Sequence, residues 1–218
     1  MFQSCLEILP PAQLRLWPEM AATPSGFTFY GGTAIALRLG HRSSVDFNFF
    51  GRHDFDPDAL LDTVPYLRGA RILQREANTL TCLIDRQGPV QVSFFGVPRT
   101  GIVAAPDLAE VPEFPVASLL DLAGTKVSVV QKRAQAKDYV DFDVLIARGG
   151  IGLPLALAAG RAIYGRQFEP QITLKALAWF DDGDVPSLPM ALRRRLVRAV
   201  TSVDLGDLPA LVPMVPPT

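Results

Sequence analysis

The sequence predicts an α/β protein in which a mixed β-sheet with flanking helices is followed by an α-helical C-terminal region. First, a short aromatic strand at residues 26–30 runs into a glycine pair that opens a helix, and an alternating strand follows at residues 45–50. Second, three further strand patterns are separated by connections of hairpin length, at residues 71–76, 79–84 and 90–95. Third, the periodic segments after residue 115 have helical spacing.

Three helices are predicted beside these strands, and local residues indicate where they begin or end. The Pro10-Pro11 pair must kink or split the first helix, because proline cannot donate the backbone hydrogen bond of a helix interior. Gly40 follows the second helix in the usual C-terminal glycine position. Asp56 is the expected N-cap of the third, with Pro57 at its first position. The predicted ranges are residues 3–20, 33–39 and 56–67.

The C-terminal part of the chain reads as a series of helices. The segment 101–115 is rich in Pro, Gly and Ala and has no clear periodicity, so it predicts a boundary. We therefore expect an α/β domain over residues 1–113 and a helical domain over residues 114–218. The predicted helices are residues 116–131, 134–147, 152–164, 170–180 and 189–202.

Composition narrows the class of protein. With 218 residues, 49% of them apolar and 20% charged, the chain can bury a sizeable core. A formal net charge of -1 argues against a uniformly basic nucleic-acid coat. Cys5 and Cys82 are too few for a disulfide framework or a zinc site, which predicts a cytoplasmic protein. No secretory signal is recognisable and no apolar run reaches the roughly 18 residues of a membrane span.

The glycine pair is a candidate phosphate-binding turn. Gly31 and Gly32 let the backbone approach a phosphate closely, and the helix they open offers free N–H groups to an anion. Thr33 adds a hydroxyl donor. The structural alternative is that two glycines at a strand-to-helix junction only form a tight turn.

Asp46 and Asn48 are candidate metal ligands. Positions spaced by one on a strand point to the same face, and paired carboxylates in that arrangement hold Mg²⁺ in phosphoryl and nucleotidyl transfer sites. Here the second position is an amide, which can ligate a metal but brings no negative charge. The alternative is that both side chains face solvent or cap a turn.

Two separated motifs stand out in the chain. The first is a Gly-Gly-Thr turn, a short helix, His-Arg-x-Ser and then an acidic strand with two aromatics, formed by Gly31, Gly32, Thr33, His41, Arg42, Ser44, Asp46, Phe49 and Phe50. The second is a helical Lys…Arg…Lys-Asp-x-x-Asp pattern between residues 119 and 141, formed by Lys126, Arg133, Asp138 and Asp141. Together the two motifs resemble those of the AbiEii/AbiGii-type abortive-infection toxins of the nucleotidyltransferase superfamily.

The resemblance implies a nucleotidyltransferase-type sheet and a nucleoside triphosphate substrate. Its monophosphate would be transferred to a hydroxyl on RNA or protein, and an antitoxin partner is implied by the family alone. Asp46 and Asn48 would hold Mg²⁺ and take part in catalysis together with Asp138, which would orient the acceptor. The implied nucleotide-binding residues are Gly31, Gly32, Thr33, Arg42, Lys126 and Arg133.

The chain departs from the family pattern at two metal-facing positions. Asn48 replaces the second acid of the first motif, and Ser93 occupies the expected position of a third acid on the strand at residues 90–95. The competing hypothesis is therefore a catalytically degenerate fold that binds nucleotide, RNA or a partner protein.

Two charged helical segments can also be explained without a role in binding or catalysis. Asp138 could pair with a nearby Lys or Arg, and Lys137 with Asp141, in a solvated ion network. A basic face formed by Arg193, Arg194, Arg195 and Arg198 could contact RNA phosphates or simply be solvated.

Overall fold

A computed structural model describes residues 1–217 and divides the chain into two compact units. The sheet unit consists of residues 1–99 and 106–117. The helical unit consists of residues 100–105 and the chain from Ser118 onward. The two units therefore interleave in sequence over residues 100–117, whereas the sequence predicted a single boundary after residue 113.

The sheet unit is built on a seven-stranded mixed sheet, which confirms the predicted α/β class. Strands β2 and β5 are parallel neighbours, whereas β1 pairs antiparallel with β2 and β4 pairs antiparallel with β5. The order across the sheet is β3-β4-β5-β2-β1-β7-β6. The strands are β1 Phe27–Tyr30, β2 Phe47–Gly51, β3 Arg71–Glu76, β4 Thr79–Asp85, β5 Pro89–Gly96, β6 Asp107–Leu108 and β7 Pro115–Val116.

The last two strands were not predicted, because two residues are too short to show a period. β7 runs parallel to β1, where Phe29 pairs with Val116. Arg38 secures this edge through hydrogen bonds from its Nη2 to the carbonyls of Val116 and Ala117. Its Nη1 also lies 2.9 Å from Asp107 on β6. A single buried guanidinium from the helix after the glycine turn thus connects both short strands.

Prolines and caps explain the helices of the sheet unit. The predicted helix at residues 3–20 is split at the Pro10-Pro11 pair, and short 3₁₀ turns flank its central part. Asp56 caps its helix by accepting a hydrogen bond from the Asp58 backbone N–H. That helix is shorter than predicted because Pro65 begins a separate 3₁₀ turn. The α-helices are α1 Pro11–Leu16, α2 Gly31–Leu39 and α3 Pro57–Thr63.

The two faces of the central strands differ in character. One face buries four phenylalanines fully, and their rings contact one another in edge-on, tilted and stacked arrangements: Phe29, Phe47, Phe49 and Phe94. The alternate positions of β2 place Asn48 and Phe50 on the opposite, half-buried face. The predicted alternation of this strand is therefore confirmed, with its polar position on the less buried side.

The helical unit contains the five helices that the sequence predicted, with slightly different ends. Ser118 caps the first of them by accepting a hydrogen bond from the Asp121 backbone N–H. Asp121 also accepts from the N–H groups of Val103 and Ala104, which ties the segment at residues 100–105 to this unit. The helices are α4 Leu119–Val129, α5 Ala136–Ala147, α6 Leu153–Tyr164, α7 Pro170–Ala178 and α8 Met190–Thr201.

None of the helices within residues 1–217 combines the length and the apolar character that crossing a bilayer requires.

Candidate functional site

The glycine turn lies at the N-terminus of α2 and has a geometry that only glycine suits. Gly31 is the first residue of the helix and has a φ of 87°. A Cβ at this position would lie 3.2 Å from the side-chain amide nitrogen of Asn48. The Tyr30 side chain does not cap the helix, so the N–H groups of its first turn are available to an anion. The close approach of Asn48 joins the predicted phosphate turn to the predicted metal position.

Substituting Gly31 tests this close approach. Gly31→Ala is expected to lower the free energy of unfolding by about 1 kcal/mol more than Gly69→Ala in a urea titration of the full chain. Gly69 is the matched control because it has a similar φ of 75° and no heavy atom would lie within 4 Å of a Cβ added there. Equal losses for the two variants would show that Asn48 does not restrict the turn.

Thr33 is held inside the sheet unit. Its Oγ1 donates a hydrogen bond to the Asp46 carbonyl at 2.6 Å and lies 2.7 Å from Ser44 Oγ. Since the threonine has one hydroxyl proton, the Ser44 hydroxyl is the donor in their mutual contact. Thr33 is only 1% exposed. These contacts make Thr33 and Ser44 positioning groups for Asp46, and the phosphate contact predicted for Thr33 stays a prediction.

Asn48 lies in a row of neutral polar side chains across the sheet. It is paired in register with Ser93 on β5 and with Tyr30 on β1. Ser93 in turn accepts a hydrogen bond from Thr81 Oγ1 at 3.1 Å. The structure therefore puts Ser93 beside Asn48, where the resemblance placed a third acid. Thr81 was missed by the sequence analysis, although its register opposite Ser93 follows from the hairpin between β4 and β5.

Asp46 is the carboxylate associated with this row. It is half-buried and immediately precedes β2, two residues before Asn48. Among the residues that the structure describes, no cluster of three or more His, Cys, Asp or Glu side chains could hold a metal ion. Mg²⁺ is often held by one or two carboxylates together with substrate phosphates. The donor set of Asp46 and Asn48 fits one such ion shared with a triphosphate, and it does not fit a two-metal clamp made by protein carboxylates.

Arg42 lies in the loop that leads to β2. Its Nη1 donates a hydrogen bond to the Ser43 carbonyl at 3.0 Å, and its side chain is half-buried. This arrangement places Arg42 in the same segment as Ser44 and Asp46. Its predicted contact with nucleotide stays a prediction.

The helical unit contains a second group, centred on a buried lysine. Lys126 of α4 donates to Asp138 Oδ1 at 2.8 Å and to Asp141 Oδ2 at 2.9 Å, both on α5. The side chains of Lys126, Asp138 and Asp141 are 6%, 1% and 0% exposed. Arg133, which is 47% exposed, makes a two-point contact with Asp138 through Nε and Nη2. The group is therefore a buried network with one guanidinium at its solvent side.

Two details of this group differ from the interpretations of the sequence. The spacing of seven between Lys126 and Arg133 predicts a shared helix face, but α4 ends at Val129 and Arg133 lies in the connection before α5. Asp141 contacts Lys126, whereas the structural alternative paired it with Lys137, and the network is buried instead of solvated. The spacing of three between Asp138 and Asp141 places both carboxylates on one face of α5, where both contact the same lysine.

The charges around Asp138 hold it ionised. Burial opposes its ionisation, but hydrogen bonds and charge from Arg133 and Lys126 outweigh burial and lower the pKa of the carboxyl group. A carboxylate with a lowered pKa is a weak base. Its contacts therefore support a role in positioning Lys126 and Arg133, whereas the catalytic role predicted for Asp138 stays a prediction.

The lowered pKa of Asp138 predicts a pH dependence of stability. Ionised Asp138 stabilises the folded state above the pKa of the unfolded chain, about 3.9, and this contribution is lost as pH falls through the lower folded-state value. In urea titrations from pH 6 downwards, the wild-type free energy of unfolding should fall more steeply below about pH 4 than that of Asp138→Asn. Asp62→Asn, at an exposed position of α3, is the control and should retain the wild-type slope. Equal slopes for wild type and Asp138→Asn would contradict the assignment.

This mixed sheet, with its glycine turn between β1 and α2, is of the nucleotidyltransferase type, because solved structures of that class share the fold. MenT4, a nucleotidyltransferase toxin from Mycobacterium tuberculosis H37Rv, matches with a TM-score of 0.62 and 16% identity, covering 88% of this chain and 82% of that chain. A candidate nucleotidyltransferase from H. pylori matches with a TM-score of 0.51 and 12% identity, covering 86% and 89%. At these identities the likeness concerns the fold.

The chain belongs to the AbiEii family. The sequence profile of that family, described as nucleotidyl transferase AbiEii toxin of a type IV toxin–antitoxin system, matches residues 20–209. An uncharacterized protein of Aquifex aeolicus (strain VF5) is 29% identical over 158 residues, which is 72% of this chain and 74% of that protein. The predicted family and the nucleotidyltransferase-like function are thereby confirmed.

Proposed function

We propose that this protein binds a nucleoside triphosphate and transfers its nucleoside monophosphate to a hydroxyl group on RNA or protein. The acceptor oxygen would form a bond to the α-phosphorus, the bond from that phosphorus to the bridging oxygen would break, and pyrophosphate would leave. The acceptor proton would pass to solvent or a nearby base. The observation that carries this proposal is the uncapped N-terminus of α2 at Gly31, with Asn48 against it and Asp46 held by Thr33.

The anionic triphosphate would be bound by backbone N–H groups and cations. Gly31 and Gly32 would allow close approach to the first turn of α2, whose dipole favours negative charge. Arg42, Lys126 and Arg133 would neutralise phosphate charge. Lys126 already has two carboxylate partners, so contact with a phosphate would require exchange or sharing of one of them.

A divalent cation is expected of the superfamily, and the residues present fit a single ion. Asp46 would supply the charged ligand and Asn48 an amide oxygen, with the remaining ligands from phosphates and water. Bound Mg²⁺ supplies charge neutralisation of the triphosphate. The neutral row of Asn48, Ser93 and Thr81 favours a single ion over a pair of ions, because a second ion would lack protein carboxylates.

A second function is favoured by that same neutral row. With Asn48 and Ser93 in place of acids, the chain could bind nucleotide, RNA or a partner protein without catalysing transfer. Metal-dependent turnover separates the two functions. The antitoxin partner and the cytoplasmic location stay predictions, the first from the family and the second from the two cysteines.

The proposed activity is tested with nucleoside triphosphates labelled at the α-phosphate. Each of the four is incubated with the protein, Mg²⁺ and either total RNA or total protein, and label in the macromolecular fraction is measured. Transfer by the wild type that is absent in Asp46→Asn supports the transferase. A protein that binds nucleotide but yields no transfer with either acceptor pool would favour the binding module.

A further inference from the structure

A groove beside α8 in the helical unit carries exposed apolar and basic side chains. We name it the α8 groove and define it by its principal lining residues, Trp179, Met190, Arg194, Val197 and Arg198. Its volume is about 1000 Å³. Trp179 is 60% exposed and Met190 59%. Exposed clusters of large apolar side chains mark interaction sites, and Trp, Met and Arg are the residues enriched there.

Helical spacing explains how these residues come to share one face. On α8, Arg194 lies four positions after Met190 and Val197 lies three positions after Arg194. Arg198 follows Val197 and is one turn from Arg194, so all four share a face. The opposite face is held in the unit by the buried Leu192 and Leu196. α8 has 12 residues and is therefore about 18 Å long, which matches roughly three turns of a second helix.

The arginines of α8 fall into two classes. Arg195 makes a two-point contact with Asp143, and Arg193 donates to the carbonyls of Leu188 and Pro186. By contrast, Arg194 and Arg198 have neither an ion pair nor a side-chain hydrogen bond within residues 1–217. They lie one helical turn apart on the face of Trp179 and Val197. Two guanidiniums without partners beside an apolar strip fit carboxylates presented at one-turn spacing.

We propose that the α8 groove is a docking site for an acidic amphipathic helix of a partner protein. Aliphatic or aromatic side chains of that helix would pack on Trp179, Met190 and Val197, and its Asp or Glu residues would contact Arg194 and Arg198. The apolar contacts supply most of the affinity, whereas the charge pairs select acidic over basic helices. This proposal does not rest on the nucleotidyltransferase activity.

The composition of the groove favours a protein helix over RNA. Trp179 offers a flat ring on which a base could stack, but Met190 and Val197 offer only aliphatic surface, which suits protein side chains better than bases. The exposed Asp181 also lines the groove and would repel a phosphate chain, which carries a charge at every nucleotide. A helix can instead place its carboxylates only opposite the two arginines. The chain's net charge of -1 adds no general attraction for RNA.

The test uses the full-length protein and a designed helical probe. The probe is a fluorescein-labelled, hydrocarbon-stapled peptide of about 12 residues with Leu at i, i+3, i+4 and i+7 and Glu on the flanking positions, stapled because a free helix this short is marginal. A second peptide has Lys in place of every Glu, and a third probe is single-stranded RNA of similar length. Fluorescence anisotropy gives the affinities. The Glu peptide should bind more tightly than the Lys peptide and the RNA.

Variants assign the binding to the α8 groove. The double variant Arg194→Glu/Arg198→Glu and the single variant Trp179→Ala should each weaken Glu-peptide binding about tenfold or more. The matched control Arg161→Glu/Arg166→Glu makes the same change of charge at exposed arginines of the same unit and should stay within about twofold.

Three results would overturn the proposal. The first is no preference for the Glu peptide over the Lys peptide. The second is equal weakening by the charge-reversal variant and its control. The third is tighter binding of RNA that depends on Arg194 and Arg198, which would make the α8 groove a nucleic-acid surface.

Discussion

Replacing Lys126 with methionine should lower the free energy of unfolding by about 3–5 kcal/mol. The methionine keeps an unbranched side chain one atom shorter than lysine. It leaves Asp141 without the ammonium group that it contacts at 2.9 Å, and Asp138 with Arg133 as its remaining cation. A buried charge that loses its partner is strongly destabilising because it cannot regain its hydration. Urea titration at pH 7 measures the loss, which is a large part of the roughly 5–15 kcal/mol of a typical protein.

Two companion variants determine whether this loss comes from uncompensated charge. Lys132→Ala removes an exposed lysine from the neighbouring turn and should change stability by less than about 0.5 kcal/mol. The triple variant Lys126→Met/Asp138→Asn/Asp141→Asn removes both carboxylate charges and should recover much of the stability. If Lys126→Met is as stable as Lys132→Ala, the buried network does not stabilise the unit.

Replacing Asn48 with aspartate should convert the neutral row into a stronger magnesium site. The new carboxylate would lie two residues along the chain from Asp46, and the affinity of an oxygen site for a divalent cation rises with its number of charged ligands. Without nucleotide, Mg²⁺ affinity should rise at least about tenfold over the wild type. The measurement is the rise in melting temperature with Mg²⁺ concentration, because an ion that binds the folded state stabilises it by mass action.

A control variant in the same sheet tests whether the position of the added charge matters. Gln74→Glu adds one negative charge on the exposed strand β3 and should leave the response to Mg²⁺ at the wild-type level. Asn48→Asp/Ser93→Asp extends the series, although Ser93 is buried and the added carboxylate will destabilise the protein in the absence of metal. A wild-type response in Asn48→Asp would show that this row is not a metal position.

The segment that contains the glycine turn, α2 and Asn48 could be predicted because its sequence signals are local. Alternation placed Asn48 opposite the buried face of Phe47 and Phe49, and the glycine pair fixed the start of α2. Family motifs then linked this segment to Lys126, which no local pattern could do. The hairpins also followed from short connections, whose residues Asn78 and Gln87 have the left-handed conformation that tight turns use.

The other features of the fold and of the candidate site depend on tertiary contacts, which a linear sequence pattern does not contain. The strands β6 and β7 are stabilised by pairing and by Arg38, so their two-residue segments have no period of their own. Lys126 is buried because α5 supplies two carboxylates to it, and neither burial nor partner can be read from helical spacing alone. The same holds for Thr33, whose hydroxyl is directed to Asp46 and Ser44 by the packing of α2 against the loop before β2.

Calorimetric titration of ATP, CTP, GTP and UTP, with and without Mg²⁺, tests most directly the central claim that this protein binds a nucleoside triphosphate. We expect at least one triphosphate to bind the wild type more tightly with Mg²⁺. Asp46→Asn should lose that tightening, and Lys126→Met, confirmed as folded by circular dichroism, should bind about tenfold more weakly under both conditions. Absence of binding for all four, or wild-type affinity and metal response in both variants, would contradict the account.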